Sequence, residues 1–124
     1  MNENKRKILI VDDDPDIRLF LEFGLKKAGF EILQAANGAK ALDILKKCIP
    51  DLIVTDAMMP VLDGYGLIRA VKKETAWSRI PLIMLTGQDS EKTTEGTIQP
   101  DVYMKKPFAT PAILAKIEEL LTDT

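Results

Sequence analysis

Histidine is absent from these 124 residues. Without an imidazole the chain cannot build a histidine-ligated zinc site or a Ser-His-Asp triad, and it cannot carry a phosphohistidine. Any histidine chemistry has to come from another protein. One cysteine, Cys48, excludes an internal disulfide and fits a reducing, cytoplasmic setting. Lying among Leu42, Leu45 and Ile49, it is expected as a buried structural residue. Uninterrupted apolar runs stop at four or five residues, so no segment reads as a membrane span or a signal peptide. Charge of one sign is also missing: 17 basic residues face 19 acidic ones for a net charge of −2. The short tract Lys5-Arg6-Lys7 only solvates the N-terminus, which argues against nucleic-acid binding by this chain alone.

What is present is the material of one domain, expected to span 1–124. Hydrophobic content of 46% with 29% charged residues is ordinary for a globular chain. Short β-type runs alternate with helical patterns throughout, which predicts an α/β fold around a parallel sheet. The strand candidates are Ile8–Val11, Glu31–Ala35, Leu52–Thr55, Leu82–Leu85 and Val102–Met104. The first, third and fourth are apolar throughout, as strands covered by helices on both faces require, and the other two are polar enough for sheet edges. Asp14-Pro15 and Thr110-Pro111 read as a helix N-cap followed by the first helical residue. In the first helix Ile17, Phe20, Leu21, Gly24, Leu25 and Ala28 share a face, with Gly29 as its C-cap. Ile113, Leu114, Ile117, Leu120 and Leu121 share a face of the last helix. Two further helices are expected over Ala39–Lys47 and Tyr65–Lys73. The segment Asp89–Gln99 stands where another helix belongs, yet Thr93, Thr94, Gly96 and Thr97 make it poor helix material. A short, frayed or mobile element is expected there.

Two of the apolar runs end in acid: Ile8–Val11 runs into Asp12-Asp13-Asp14, and Leu52–Thr55 into Asp56. Open parallel sheets bind ligands outside the carboxyl ends of their strands, so neighbouring strands would bring Asp12, Asp13 and Asp56 together. Carboxylates ~5 Å apart repel by roughly 3 kcal/mol at an effective dielectric of ~20. Three such pairs approach the stability of a whole domain, so the cluster needs a cation, a proton or a chemical purpose. Mg2+, a hard ion that bridges carboxylates to phosphate oxygens, is the natural choice, with Mn2+ as a substitute. No EF-hand spacing favours Ca2+. Thr86 and Lys106 end two more strand candidates at the same edge, where a hydroxyl and an ammonium can meet phosphoryl oxygens.

These motifs resemble the receiver domain of two-component response regulators. The matching residues are Ile8–Val11 with Asp12-Asp13-Asp14-Pro15, then Asp51 through Asp56 to Pro60, Asp63-Gly64, Pro81 through Thr86-Gly87, and Tyr103 through Lys106-Pro107-Phe108. The resemblance spans essentially the whole chain. It implies a flavodoxin-like (βα)5 three-layer sandwich with strand order 2-1-3-4-5, a family property rather than something read from the residues. It further implies that Asp56 accepts the phosphoryl group. Asp13 and Asp56 would ligate Mg2+ directly, Asp12 mainly through water, and the Met58 backbone carbonyl would complete the protein ligands. Lys106, following a strand and preceding a cis peptide to Pro107, would pair with the carboxylate and then with the phosphoryl group, while Thr86 and Tyr103 would switch. The donor would be a histidine kinase or a histidine phosphotransfer protein, and the chain would catalyse only its own phosphorylation and dephosphorylation.

Departures fall between Thr86 and Lys106. That interval is about two residues shorter than the family's habit, and Ile98-Gln99-Pro100-Asp101 replaces the usual small-residue turn. The expected output face is altered there and the acid site is not. A phosphohydrolase using an aspartyl phosphate would need a second aspartate two residues after Asp56, where Met58 stands. A receiver-like interaction module without phosphorylation would not need the set Asp12, Asp13, Asp56, Thr86 and Lys106. Leu19 and Phe23, on the outward side of the first helix, are a candidate docking surface for the donor. The length leaves no room for an effector domain, so a stand-alone regulator or relay intermediate is expected before a receiver excised from a larger protein.

Overall fold

The computed structural model describes residues 5–87 and 99–122. Five strands, β1 (Lys7–Val11), β2 (Glu31–Ala35), β3 (Leu52–Asp56), β4 (Leu82–Thr86) and β5 (Val102–Lys105), form one parallel sheet in the order β2-β1-β3-β4-β5. Four helices are seen among the described residues: α1 (Pro15–Lys27), α2 (Gly38–Leu45), α3 (Gly64–Lys73) and α4 (Thr110–Thr122). The segment Asp89–Gln99 lies outside the described residues except for the exposed Gln99.

Alternation along each strand divides the core into two layers. Leu9, Val11, Ile53, Leu82 and Met84 face α2 and α3, meeting Ala41, Leu45, Leu67, Ile68 and Val71. Ile8, Ile10, Leu52, Val54, Ile83 and Leu85 face α1 and α4, meeting Leu21, Leu25, Ile113, Ile117 and Leu121. The central strands β1, β3 and β4 are buried almost throughout, whereas β2 and β5 are only partly covered, as their composition predicts for edges.

Helix starts follow local hydrogen bonding. Asp14, Asn37 and Asp63 cap α1, α2 and α3, their side chains accepting from the backbone N–H of Asp16, Lys40 and Gly66. Three sequence expectations shift. Thr110 is the first residue of α4 rather than its cap, and its side chain fills the space a Cβ at Gly24 would need. Ala28 takes the C-cap of α1, with Gly29 one residue beyond at φ +103°. Phe20 stays 48% exposed because its ring packs sideways against Phe108, with centroids 6.2 Å apart, instead of entering the core. Cys48 departs as well: expected to be buried, it is only half-buried, because it follows the end of α2 beside the exposed Ile49, its backbone N–H donating to the Ile44 carbonyl.

Candidate acidic phosphoryl and metal site

The β1–β3 register sets Val11 beside Thr55, so the residues that follow, Asp12 and Asp56, leave the sheet side by side. Carboxylate oxygens of Asp12, Asp13 and Asp56 all lie within 4.8 Å of one another. Asp12 is fully buried, Asp56 is 8% exposed and Asp13 faces solvent. The Asp12 backbone N–H extends the β1–β2 ladder to the Ala35 carbonyl, and Asp12 Oδ1 accepts from the Asp14 N–H at 2.9 Å. Asp12 Oδ2 is buried with no hydrogen-bond donor. Such an atom is costly unless something positive meets it.

Lys106 supplies part of that charge. Its Nζ lies 3.0 Å from Asp56 Oδ1 and 3.5 Å from Asp12 Oδ2. The lysine follows β5 directly, next to the cis Lys106-Pro107 peptide, and its backbone N–H donates to the Thr86 carbonyl at 2.6 Å. Burial pushes the Asp12 carboxyl above its usual range; the charges of Asp56 and Asp13 add to the rise, against the Asp14 N–H bond and Lys106. Burial pulls the Lys106 ammonium down, but its hydrogen bond to Asp56 and the charges of Asp12 and Asp56 outweigh that, so it sits above its usual range.

The remaining site candidates lie at the same end of the sheet. Thr86 ends β4, is 6% exposed and sits across the ladder from Lys105. Tyr103 pairs with Met84 and packs half-buried against the α2–α3 layer. Met58 is 71% exposed in the loop after β3. That loop is clamped at both ends: the Gly64 N–H donates to the Ala57 carbonyl, and the Leu62 carbonyl accepts from Gly38 N–H. A Cβ at Gly64 would collide with the Asp56 carbonyl oxygen, and one at Gly38 would meet that of Leu62 at 2.5 Å. Within the loop Val61 takes φ +73°, and the Leu62 N–H closes a three-residue turn onto the Pro60 carbonyl at 2.9 Å.

One contact at the site has no counterpart in the sequence reading. Arg18 on α1 donates to the backbone carbonyl of Asp12 at 2.7 Å. A basic residue four positions after Asp14 reads as helix surface unless the direction of the Asp12 carbonyl is known. Beyond it, Leu19 and Phe23 are 64% and 67% exposed and flank a shallow hollow of about 420 Å³ with Glu22, Lys26 and Lys27.

A doubly wound sheet with three carboxylates and a lysine at its carboxyl edge has the donor chemistry that a divalent cation and a phosphoryl group require. The chain belongs to the response regulator receiver domain family, whose model matches residues 8–118. It is therefore a receiver domain of the two-component signalling class, and its acidic cluster fits the phosphoacceptor site of that class. Among solved structures it is similar to the chemotaxis response regulator CheY4 of Vibrio cholerae, with a TM-score of 0.87 and 33% identity over 94% of this chain and 99% of that one. It is also similar to the receiver domain of a sensor histidine kinase from Pseudomonas aeruginosa PAO1, which has a magnesium ion coordinated in its active-site cleft (TM-score 0.88, 25% identity, covering 95% and 98%). A probable transcriptional regulator, ycf27, of Cyanophora paradoxa is 44% identical over 100% of this chain and 52% of its own length. The chain spans about half the length of the curated relatives it matches. No helix among the described residues is long and apolar enough to cross a membrane.

Proposed function

We propose that the chain is a switchable phosphoacceptor in which Asp56 takes a phosphoryl group from a phosphohistidine on a separate protein. An Asp56 carboxylate oxygen attacks phosphorus, the P–N bond breaks, and the imidazole leaves with the electron pair and takes up a proton. Water later hydrolyses the acyl phosphate and restores the carboxylate. This transfer needs positioning and neutralisation of charge on the equatorial oxygens. Lys106, 3.0 Å from Asp56, is the group that follows the charge from carboxylate to phosphoryl.

Asp12, Asp13 and Asp56, with the Met58 carbonyl, are the residues that would hold Mg2+. The carrying observation is the buried Asp12 Oδ2, which has no hydrogen-bond partner and has Lys106 Nζ 3.5 Å away, in a cluster of three carboxylates. A divalent cation held there would supply the positive charge that the transfer needs. Thr86, at the end of β4, is the hydroxyl that would follow the phosphoryl oxygen, and Tyr103, half-buried on β5, is the side chain that would change packing with it. A two-state response of this kind needs only an element whose equilibrium the new group biases.

Residues 1–124 act as one receiver unit in the cytoplasm, where histidine kinases or phosphotransfer proteins present the donor. Its only catalysis is its own phosphorylation and dephosphorylation. The exposed Leu19 and Phe23 lie on α1, the helix that starts directly after the acidic residues, and suit the donor's approach. Incubation with Mg2+ and acetyl phosphate should add a single phosphoryl mass by intact-protein mass spectrometry. Asp56→Asn should abolish it, and labelling of Asp56→Asn at the unmodified protein's rate would overturn the assignment.

A further inference from the structure

We propose that Arg18 and Gln34 are positioning residues for cation binding: a hydrogen-bonded relay from α1 and β2 fixes the peptide joining Asp12 to Asp13. This inference rests on reading the three aspartates as the Mg2+ site. Arg18 Nη1 donates to the Asp12 carbonyl at 2.7 Å, while its Nε donates to Gln34 Oε1 at 3.1 Å. Gln34 Nε2 donates in turn to Glu22 Oε1 at 2.9 Å, and Lys26 closes the chain onto Glu22 Oε2 at 3.0 Å. The guanidinium fork thus holds two acceptors at a fixed angle, which a lysine cannot do.

The Asp12 backbone shows why this matters. Its N–H is tied to Ala35 and its Oδ1 to the Asp14 N–H. The carbonyl is the remaining freedom, and turning it rotates the peptide plane that carries Asp13. Asp13 is solvent-exposed, so packing constrains its direction less than it does that of the buried Asp12 and Asp56. Arg18 therefore aims Asp13 through one backbone oxygen, and Gln34, on the edge strand, aims Arg18. Groups one bond removed from a metal's ligands commonly change its affinity by ~10–100-fold.

A positioning role and a charge role predict opposite signs. Arg18 is a cation beside a cation site, so acting through charge alone it would weaken Mg2+ binding and its removal would tighten it. Acting through geometry, Arg18→Met raises the Mg2+ dissociation constant by about 10-fold, read by titration calorimetry. Gln34→Met, which changes no charge and sits on an exposed edge position, raises it in the same direction. In the double variant the two effects fall short of additive, because both break one relay. Lys27→Met, removing a cation from α1 that lies over Phe23 rather than on the relay, leaves the constant unchanged. Backbone relaxation at the Asp13 amide should show added motion in Arg18→Met without Mg2+. An unchanged or lowered constant in Arg18→Met, or an unchanged one in Gln34→Met, overturns the relay. Failure of the unmodified protein to bind Mg2+, or Asp13→Asn binding it equally well, overturns the site reading instead.

Discussion

Asp12 is buried where its ionised form has too few partners, and that conflict is measurable. Its carboxyl lies above the usual range because burial and the neighbouring Asp56 and Asp13 charges outweigh the stabilising contacts. A raised carboxylate contributes stability that is complete below its unfolded value and is lost as pH rises through its folded value. At neutral pH without divalent cations, Asp12→Asn should therefore stabilise the fold, read as a higher urea midpoint. Asparagine keeps an oxygen for the Asp14 N–H and leaves Lys106 paired with Asp56. The same substitution should weaken Mg2+ binding. In the unmodified protein, Mg2+ affinity should fall as pH drops through the folded Asp12 value, because the ion must displace that proton. Calorimetry across a pH series checks this, and affinity independent of pH would contradict it.

The loop between β3 and α3 concentrates strain in one residue. Gly38 and Gly64 hold its ends against Leu62 and Asp56, so the reversal is completed at Val61, a β-branched residue at φ +73° with its side chain 79% exposed. Such conformations cost ~1–3 kcal/mol, and the side chain repays none of it by packing. Val61→Gly removes the strain at an entropic cost of ~1 kcal/mol or less. It should stabilise the fold by about 1 kcal/mol in urea unfolding; destabilisation would show that Val61 is supported by contacts of its own.

At the scale of the whole molecule, the sheet order brings acids 44 residues apart in sequence into one cluster that exists only when the chain is folded. Mg2+ binding to the fold and not to the unfolded chain adds about 2.7 kcal/mol at a hundred times its dissociation constant. For a domain of this size the thermal midpoint should rise by on the order of 10 °C. Scanning calorimetry with and without Mg2+ tests this, and Asp13→Asn should lose most of the shift.

Strand positions and the acid cluster were legible in the sequence because both depend on local signals: apolar runs, and the residue types that end them. The helix faces were less so. Phe20 shares the spacing of Leu21 and Leu25, but the partner ring of Phe108 comes from a distant loop and holds it outside. Arg18 and Gln34 were invisible for a stricter reason. The hydrogen bonds that join them to the site depend on which way the Asp12 carbonyl points, and no residue type records that.

Trp77, the single tryptophan, precedes β4 and packs half-buried against the α2–α3 layer. It stands at the amino end of the strands, with the full length of β4, roughly 17 Å at ~3.3 Å per residue, between it and the carboxylates. Direct contact with the ion or the phosphoryl group is thereby ruled out, and what the indole shares with the site is the α2–α3 layer that it packs against together with Tyr103. Its emission should therefore report opening of that layer, so unfolding can be followed by the fluorescence of a single residue.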